Sequence, residues 1–523
     1  MNICVVIYGS SVNHERTTAS LADFKHLSIM HCFDLADLNF HAIKNDCTFF
    51  VKNGDVLSKH AAQYLELNLA WQEADIFYSD EALIYGKKQK QFNFYKPDYS
   101  PDMLLSMNYF GNFLCIKTDL LKKITPIESK NYQNFLYELI LKLLPKAKTI
   151  IHVDEVLYLR YSDKAIIDYQ DFFVDFDQSH GKKLLQNYCR ENGIQANCID
   201  GPYYGTYRVQ YAIQDDPLVS IIIPFRDMPE LLETCINSIL EKSTYKNFEI
   251  IGVNNGSQDP KTIALINVLK KKDARVMFYD LDIPFNYSKI NNYAASHFAN
   301  GQQLIFLNND AEVIAPDWIE AMLEHSQRPN IGIVGAKLLY PDNTIQHCGI
   351  ILGRLIAHIH KGLPNDQSGY FYFPHLVRNY HALTFACVMM KASLFKIMNG
   401  LDEGLMIACN DIDFCARASA LGYCNVYTPY AVLYHYESKT RGMDESREKF
   451  LRAEWEREVT ARRTPALFLK DSFYNKHLTE NDTDFSDKIR EDLKGFALLF
   501  IQRLRRRLQE LGFKKFLELA IKK

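Results

Sequence analysis

At 523 residues the chain is long enough for two or three domains, and with 47% hydrophobic residues each can hold a core. A net charge of −3, with no interleaving of basic and aromatic residues, argues against a nucleic-acid-binding protein. The 12 cysteines are scattered without a Cys-x-x-Cys pair, so neither a zinc knuckle nor a disulfide framework is indicated, and reduced thiols in the cytosol fit best.

The chain opens on MNICVVIYGSSVNHE, whose apolar run is too short for a signal peptide. No stretch approaches the ~18 apolar residues of a membrane-crossing helix. The first 200 residues read as one unit, and Gly201 to Asp216, rich in Tyr, Gly and Asp, reads as a linker. Pro217 to Arg226 is then a buried strand closed by Pro224. From Pro229 to Lys242 the apolar residues Leu231, Leu232, Ile236, Ile239 and Leu240 fall at helical spacing. Asn247 to Ser257 is a second strand ending in a polar turn. Strand, helix and strand within so short a span make a βαβ unit and predict a parallel sheet.

The next strand, Leu304 to Leu307, runs straight into Asn308-Asn309-Asp310-Ala311-Glu312. Open α/β sheets meet their ligands at the carboxyl ends of strands. A carboxylate placed there suits Mg²⁺ or Mn²⁺ carrying a diphosphate; the plainer alternative is a polar strand end entering a turn. A second acidic cluster, Asn410-Asp411-Ile412-Asp413, opens an amphipathic helix through Phe414, Ala418 and Leu421 to Gly422. Asp411 there is either a helix cap or a chemical group. His435 closes a further apolar segment, as a loop histidine or a metal ligand. From Asp487 the chain turns basic, with Leu493, Ala497, Phe500, Leu504, Leu508 and Leu511 in one helical stripe. Such a helix suits an anionic membrane surface, or docking on its own domain or a partner helix.

From about Pro217 to Gly442 these residues resemble the family 2 glycosyltransferases of the GT-A fold. The resemblance rests on an ordered set of motifs: VSIIIPF at 219–225, EIIGVNNGSQD at 249–259, DIPFNYSKINNYAA at 282–295, FLNNDAEV at 306–313, GAKLLYPDNTIQHCGIILG at 335–353, ACNDIDFCARASALGY at 408–423 and YTPYAVLYHYESKTRG at 427–442. It is closest in character to bacterial enzymes that build O-antigen, capsule or other surface polysaccharides.

The resemblance implies roles. The family's Asp-x-Asp metal motif reads Asn308-Asn309-Asp310 here, so Asp310 is the expected ligand of a divalent metal and an amide replaces the first carboxylate. Glu312 is a second carboxylate nearby, which a strand's period of two would put on Asp310's face unless a turn intervenes, and His435 is the expected third ligand. Asp411 matches the family's general base, with Asp413 orienting the acceptor or Asp411 itself; in-line attack then inverts the anomeric carbon. Pro224, Phe225, Arg226, Asn254, Asn286, Asn291, Asn309 and Thr384 fall where the family holds the nucleotide sugar. At 254 the usual Asp is Asn, which both donates and accepts. Phe385 stands where Gly is usual and narrows the sugar pocket.

Residues 1–200 resemble a decayed second copy of the same domain. Phe49 to Leu57 falls where the metal strand would end, with Lys52 and Gly54 at the acidic places; Tyr132-Gln133-Asn134 replaces the later acidic motif. The expected fold is therefore α/β: a degenerate GT-A-like domain at 1–200, a linker at 201–216, a catalytic GT-A domain at 217–445 and a helical region with a basic amphipathic tail at 446–523. The expected activity is inverting transfer from a UDP- or dTDP-sugar to a glycan or lipid-linked saccharide, with Mn²⁺ or Mg²⁺, in the cytoplasm or at the inner face of the plasma membrane. A non-catalytic carbohydrate-binding scaffold is the alternative. A sugar-phosphate nucleotidyltransferase would want a Gly-rich loop after the first strand, where Pro224-Phe225-Arg226-Asp227 has no glycine.

Overall fold

The computed structural model describes residues 2–9, 14–67, 73–162, 169–173, 175–353, 356–436, 447–479 and 483–486. The basic tail from Asp487 to Lys523 lies outside them. Among the described residues no helix is long and apolar enough to cross a membrane.

The protein is α/β, with two large mixed sheets. The first holds β1 (Ile3–Tyr8), β2 (Leu27–Cys32), β3 (Cys47–Lys52), β4 (Val56–Leu57), β5 (Ile76–Tyr85), β6 (Lys90–Phe94), β7 (Leu114–Lys117) and β8 (Ile150–Ser162). A hairpin follows, β9 (Ala196–Asp200) and β10 (Tyr207–Tyr211). The second sheet begins with β11 (Val219–Phe225), β12 (Phe248–Asn254), β13 (Val276–Asp280), β14 (Gln303–Leu307), β15 (Ala311–Val313), β16 (Ile331–Leu339) and β17 (Ile345–His347). The small pair β18 (Ile350–Ile351) and β19 (Ala357–His358) stands apart. β20 (Arg378–Tyr380), β21 (Cys387–Lys391) and β22 (Cys424–His435) complete the second sheet. Its inner strands are near-continuous apolar runs because helices cover both faces.

The two sheets repeat one plan. The first runs β2-β1-β3-β7-β5-β8-β4 and the second β12-β11-β14-β21-β16-β22-β15, with β13 added at the edge. Each step has the same sense in both: parallel, parallel, antiparallel, antiparallel, parallel, antiparallel. The rungs correspond as well. Val6-Phe50-Leu114-Tyr78 in the first sheet answers Ile222-Phe306-Val388-Gly335 in the second.

The halves are packed as one body. A single apolar cluster draws on both, with Phe94 stacked on Phe371 at 3.8 Å. Part of the segment 201–216 is ordered strand: Tyr207 and Val209 face inward, and buried Arg208 reaches Glu324 at 2.8 Å. Buried Asp102 on the first half receives Arg328 at 2.5 Å and Asn379 at 2.8 Å from the second. Removing one partner of such a pair strands the other charge. Asp102→Ala is therefore expected to cost about 3–5 kcal/mol in denaturant unfolding, and a change below 1 kcal/mol would show that Arg328 finds other compensation.

Candidate active site

Strands β11, β12 and β14 are parallel neighbours, so their carboxyl ends lie along one edge. Strand β14 is buried throughout, and the chain leaves it through a turn in which the Ala311 N–H donates to the Asn308 carbonyl at 3.2 Å. Asp310 sits on that turn, almost wholly buried. Strand β15 then pairs Ala311 with His435, the last residue of β22. Backbone pairing thus sets Asp310 beside His435, and Asp310 Oδ1 lies 3.1 Å from His435 Nε2.

The tautomer of His435 follows from Gln346 on β17. Gln346 Nε2 donates to the His435 carbonyl at 3.1 Å, which fixes the amide's direction. Its Oε1 is then the atom 2.6 Å from Nδ1, so Nδ1–H donates to it and Nε2 is the nitrogen turned toward Asp310. Asn308 Nδ2 lies 3.2 Å from the same Nε2. A ring nitrogen and a carboxylate oxygen this close are a donor set that suits a shared cation when the nitrogen is unprotonated, and a ligand histidine typically has its far nitrogen anchored this way. Among the described residues no three His, Cys, Asp or Glu side chains converge as a preformed metal site. Asp310 and His435 would thus supply two protein ligands, and the remaining ligands would come from outside these side chains. Glu312 faces elsewhere, held by Lys242 at 2.9 Å and Tyr436 at 2.7 Å.

Asp411 stands in the first turn of the helix Asn410–Ala420. Burial pushes its carboxyl up to about 6, against backbone N–H groups of Ile412 and Phe385 that pull it down. The Phe385 side of this contact ties the two acidic clusters together. The next residue, Ala386, accepts the Asn308 N–H at 3.0 Å, so the segment Thr384-Phe385-Ala386 lies between Asp411 and the end of β14. Phe385 itself is packed between Phe306 and Phe414.

Asp413 is not brought to Asp411. Two residues apart on a helix, the side chains diverge by about 200°. Asp413 instead accepts from Arg417 at 2.8 Å and Arg463 at 3.1 Å, at a cavity of about 770 Å³ also lined by Asn292, Asn399 and Glu403. Its place is in an ion-pair network behind the helix.

The expected donor residues divide. Pro224 and Phe225 end β11 and Arg226 is exposed just beyond, at the ligand edge of the sheet. Asn309 has a buried Nδ2 with no hydrogen-bond partner, and Thr384 is half-buried. Asn254, Asn286 and Asn291 serve the frame. Asn254 accepts from the Ser257 N–H at 2.9 Å and donates to Asp280 at 2.8 Å. Asn286 caps the helix Tyr287–His297 by accepting from Lys289 and donates to the Glu403 carbonyl. Asn291 Nδ2 donates back to the Tyr287 carbonyl, with the side chain fully buried.

Sequence reasoning missed two further residues. Gln346 lay unassigned in the quoted 335–353 motif. Asp227 follows β11 with φ +53° and accepts from the Gln258 and Asp259 N–H groups, both at 2.8 Å, stitching the first two strand ends together. Only its tolerance of the left-handed region could have flagged it.

The amino-terminal sheet shows what stands at the matching places. Counting along the corresponding rungs puts Lys52 at Asn308, Gly54 at Asp310 and Arg160 at His435. Aligning Phe135 with Phe414 on the helix between the equivalent strands puts Tyr132 at Asp411. Tyr132 is buried and stacked on Tyr8 at 5.3 Å. Arg160 reaches the Phe172 carbonyl at 2.8 Å. At those three places the amino-terminal sheet carries Gly54, Arg160 and Tyr132 instead of Asp310, His435 and Asp411.

If Asp411 is the group that takes a proton, activity requires its carboxylate. The rate is then expected to fall as pH drops through about 6. A pH profile of kcat/KM that stays flat down to the ordinary aspartate range would remove Asp411 from that role.

Residues 220–393 match the family Glycosyl transferase family 2. The chain is 34% identical over 422 residues to the uncharacterized protein y4gI of Sinorhizobium fredii, covering 80% of this chain and 46% of that protein. It is 34% identical over 450 residues to the O-antigen biosynthesis protein RfbC of Myxococcus xanthus, covering 85% of this chain and 35% of that one. The chain thus spans less than half the length of these curated relatives. Among solved structures, the mannosyltransferase PcManGT of Pyrobaculum calidifontis, in complex with GDP-Man and Mn²⁺, aligns at 16% identity with a TM-score of 0.36, over 47% of this chain and 64% of that one.

Proposed function

We propose that the chain, whose residues 220–393 match glycosyltransferase family 2, transfers a sugar, with inversion, from a nucleotide diphosphate donor to a glycan or lipid-linked saccharide. The observation that carries the proposal is the setting of Asp411, half-buried and tied through Phe385 and Ala386 to the turn that bears Asp310 beside His435. A base belongs on one side of a reacting anomeric carbon and diphosphate binding on the other.

In this reading Asp411 takes the proton of the acceptor hydroxyl as its oxygen attacks the anomeric carbon. The bond from that carbon to the diphosphate oxygen breaks, and the electron pair leaves with the nucleotide diphosphate. A carboxyl raised to about 6 is ionised at neutral pH yet basic enough to share a proton in the transition state. Asp310 and His435 are the residues that would hold a divalent cation, Mg²⁺ or Mn²⁺, and when bound it would neutralise charge on the leaving diphosphate. Pro224, Phe225, Arg226, Asn309 and Thr384 are the residues placed to meet the donor. Asn254, Asn286 and Asn291 shape the loops around it.

The relative named for O-antigen biosynthesis supports a surface polysaccharide intermediate as acceptor, and hence work in the cytoplasm, at or near the inner face of the plasma membrane. The amino-terminal domain is read as non-catalytic, because Gly54, Arg160 and Tyr132 occupy the places of both metal ligands and the base. The test is the anomeric configuration of the product. Proton NMR of the transferred sugar should show the configuration opposite to the donor's, and retained configuration would contradict in-line attack assisted by Asp411.

A further inference from the structure

The helix Arg447–Arg463 has an inverted burial pattern. Leu451 and Trp455 are 56% and 52% exposed, while Glu456 is fully buried. Amphipathic helices normally turn their apolar face inward, so Glu456 is inside for its partners. Its carboxylate receives three successive backbone N–H groups: Met406 at 3.1 Å on one oxygen, with Ala408 at 2.5 Å and Ile407 at 3.4 Å on the other. A buried carboxylate is tolerated when hydrogen bonds of this kind replace its water.

The loop so held leads straight into the base. Cys409 follows with φ +58°, a strained turn for a residue with a side chain, and Asn410-Asp411 begins the helix. The same loop is gripped on its carbonyl side, where Leu405 accepts from Ser288 Oγ at 2.7 Å and Met406 from the Tyr287 N–H at 2.9 Å. At the far end of the same helix, Arg463 joins Asp402, before the loop, to Asp413, just after the base. Asp411 therefore lies between two anchors on one carboxyl-terminal helix.

We propose that Glu456, seconded by Arg463, is a positioning residue: it fixes the loop 406–408 and so sets where the Asp411 carboxylate stands. This rests on the reading of Asp411 as the base. The helix Arg447–Arg463 lies beyond the matched segment 220–393 and follows His435 in the chain.

The test compares Glu456→Ala with Glu456→Gln in the full chain. Two readouts need no turnover: amide hydrogen exchange at residues 406–408, and the pH titration of Asp411 followed by ¹³C NMR of labelled aspartate. Glu456→Ala should free those amides and move the Asp411 titration away from its wild-type position. It should lower kcat by about 10–100-fold while donor KM stays within about twofold, as a displaced catalytic group does. Glu456→Gln, whose single amide oxygen can still accept from Ile407 and Ala408 while its NH₂ cannot accept from Met406, should recover part of both. The proposal is overturned if Glu456→Ala leaves the amides protected and the pH profile unmoved. It is equally overturned if the two variants lose kcat, donor binding and melting temperature together. A chain that turns over no donor, yet shows the exchange and titration changes, would sink the transferase reading and leave the clamp standing.

Discussion

Asp411→Asn is expected to abolish sugar transfer while leaving donor binding nearly intact. The amide keeps the side chain's size, and its oxygen still accepts from the Ile412 N–H that now lies 2.8 Å from Oδ1. It cannot take a proton, and loss of a general base costs about 10²–10⁴-fold. Steady-state transfer and donor titration, measured side by side, separate the two effects. A second, opposite effect should accompany the first. Burial raises the folded-state carboxyl of Asp411 to about 6. A group raised on folding stabilises the fold below its unfolded value and loses that contribution as pH rises through the folded one. Above about pH 6 the wild type carries an ionised, poorly solvated carboxylate that the asparagine variant lacks. Asp411→Asn should therefore melt higher than wild type at neutral pH, with the difference shrinking toward pH 4. An active, destabilised variant would contradict both halves of the argument.

Asp310→Ala is expected to remove metal-dependent donor binding. Asp310 Oδ1 and His435 Nε2 face one another at 3.1 Å, and they are the only two such side chains the described residues bring together on the β14 turn. With so few protein ligands, each carries a large share of the affinity. Groups that merely orient a ligand histidine are worth about 10–100-fold in metal affinity, so a direct ligand should cost more. Gln346→Leu gives the smaller effect as an internal control, since it frees the His435 ring without removing a ligand. Donor titration with and without Mn²⁺ reads all three proteins. Equal affinity in wild type and Asp310→Ala would move the cation elsewhere.

The α/β class was legible because buried strands such as Leu304 to Leu307 and Val219 to Ile223 read as unbroken apolar runs, and the helix between strands had clear 3.6-residue spacing. The pairing of Asp310 with His435 was legible only through the resemblance; its physical cause is the β15–β22 register, which no local pattern reveals. Asn254, Asn286 and Asn291 read in the sequence as ligand contacts, while the structure shows them engaged in caps and loop hydrogen bonds, for a general reason. An amide that caps a turn and one that meets a ligand are the same residue in the same kind of loop. Asp413 looked like a partner of Asp411 because the two are adjacent in text, whereas helix geometry turns them apart and Arg417 and Arg463 claim Asp413. Glu456 was hidden because its helix buries a charge and exposes Leu451 and Trp455, the reverse of what periodicity is read for. Arg160 emerged only when the two sheets were matched rung by rung.

The measurement that bears most directly on the central claim is nucleotide diphosphate release from a panel of UDP-, dTDP- and GDP-sugars, with and without Mn²⁺, in wild type beside Asp310→Ala. Release from one donor that requires both the cation and Asp310 is the predicted result. Binding and release of no donor across the panel, with or without metal, would contradict a catalytic carboxyl-terminal domain and leave a carbohydrate-binding scaffold as the better account.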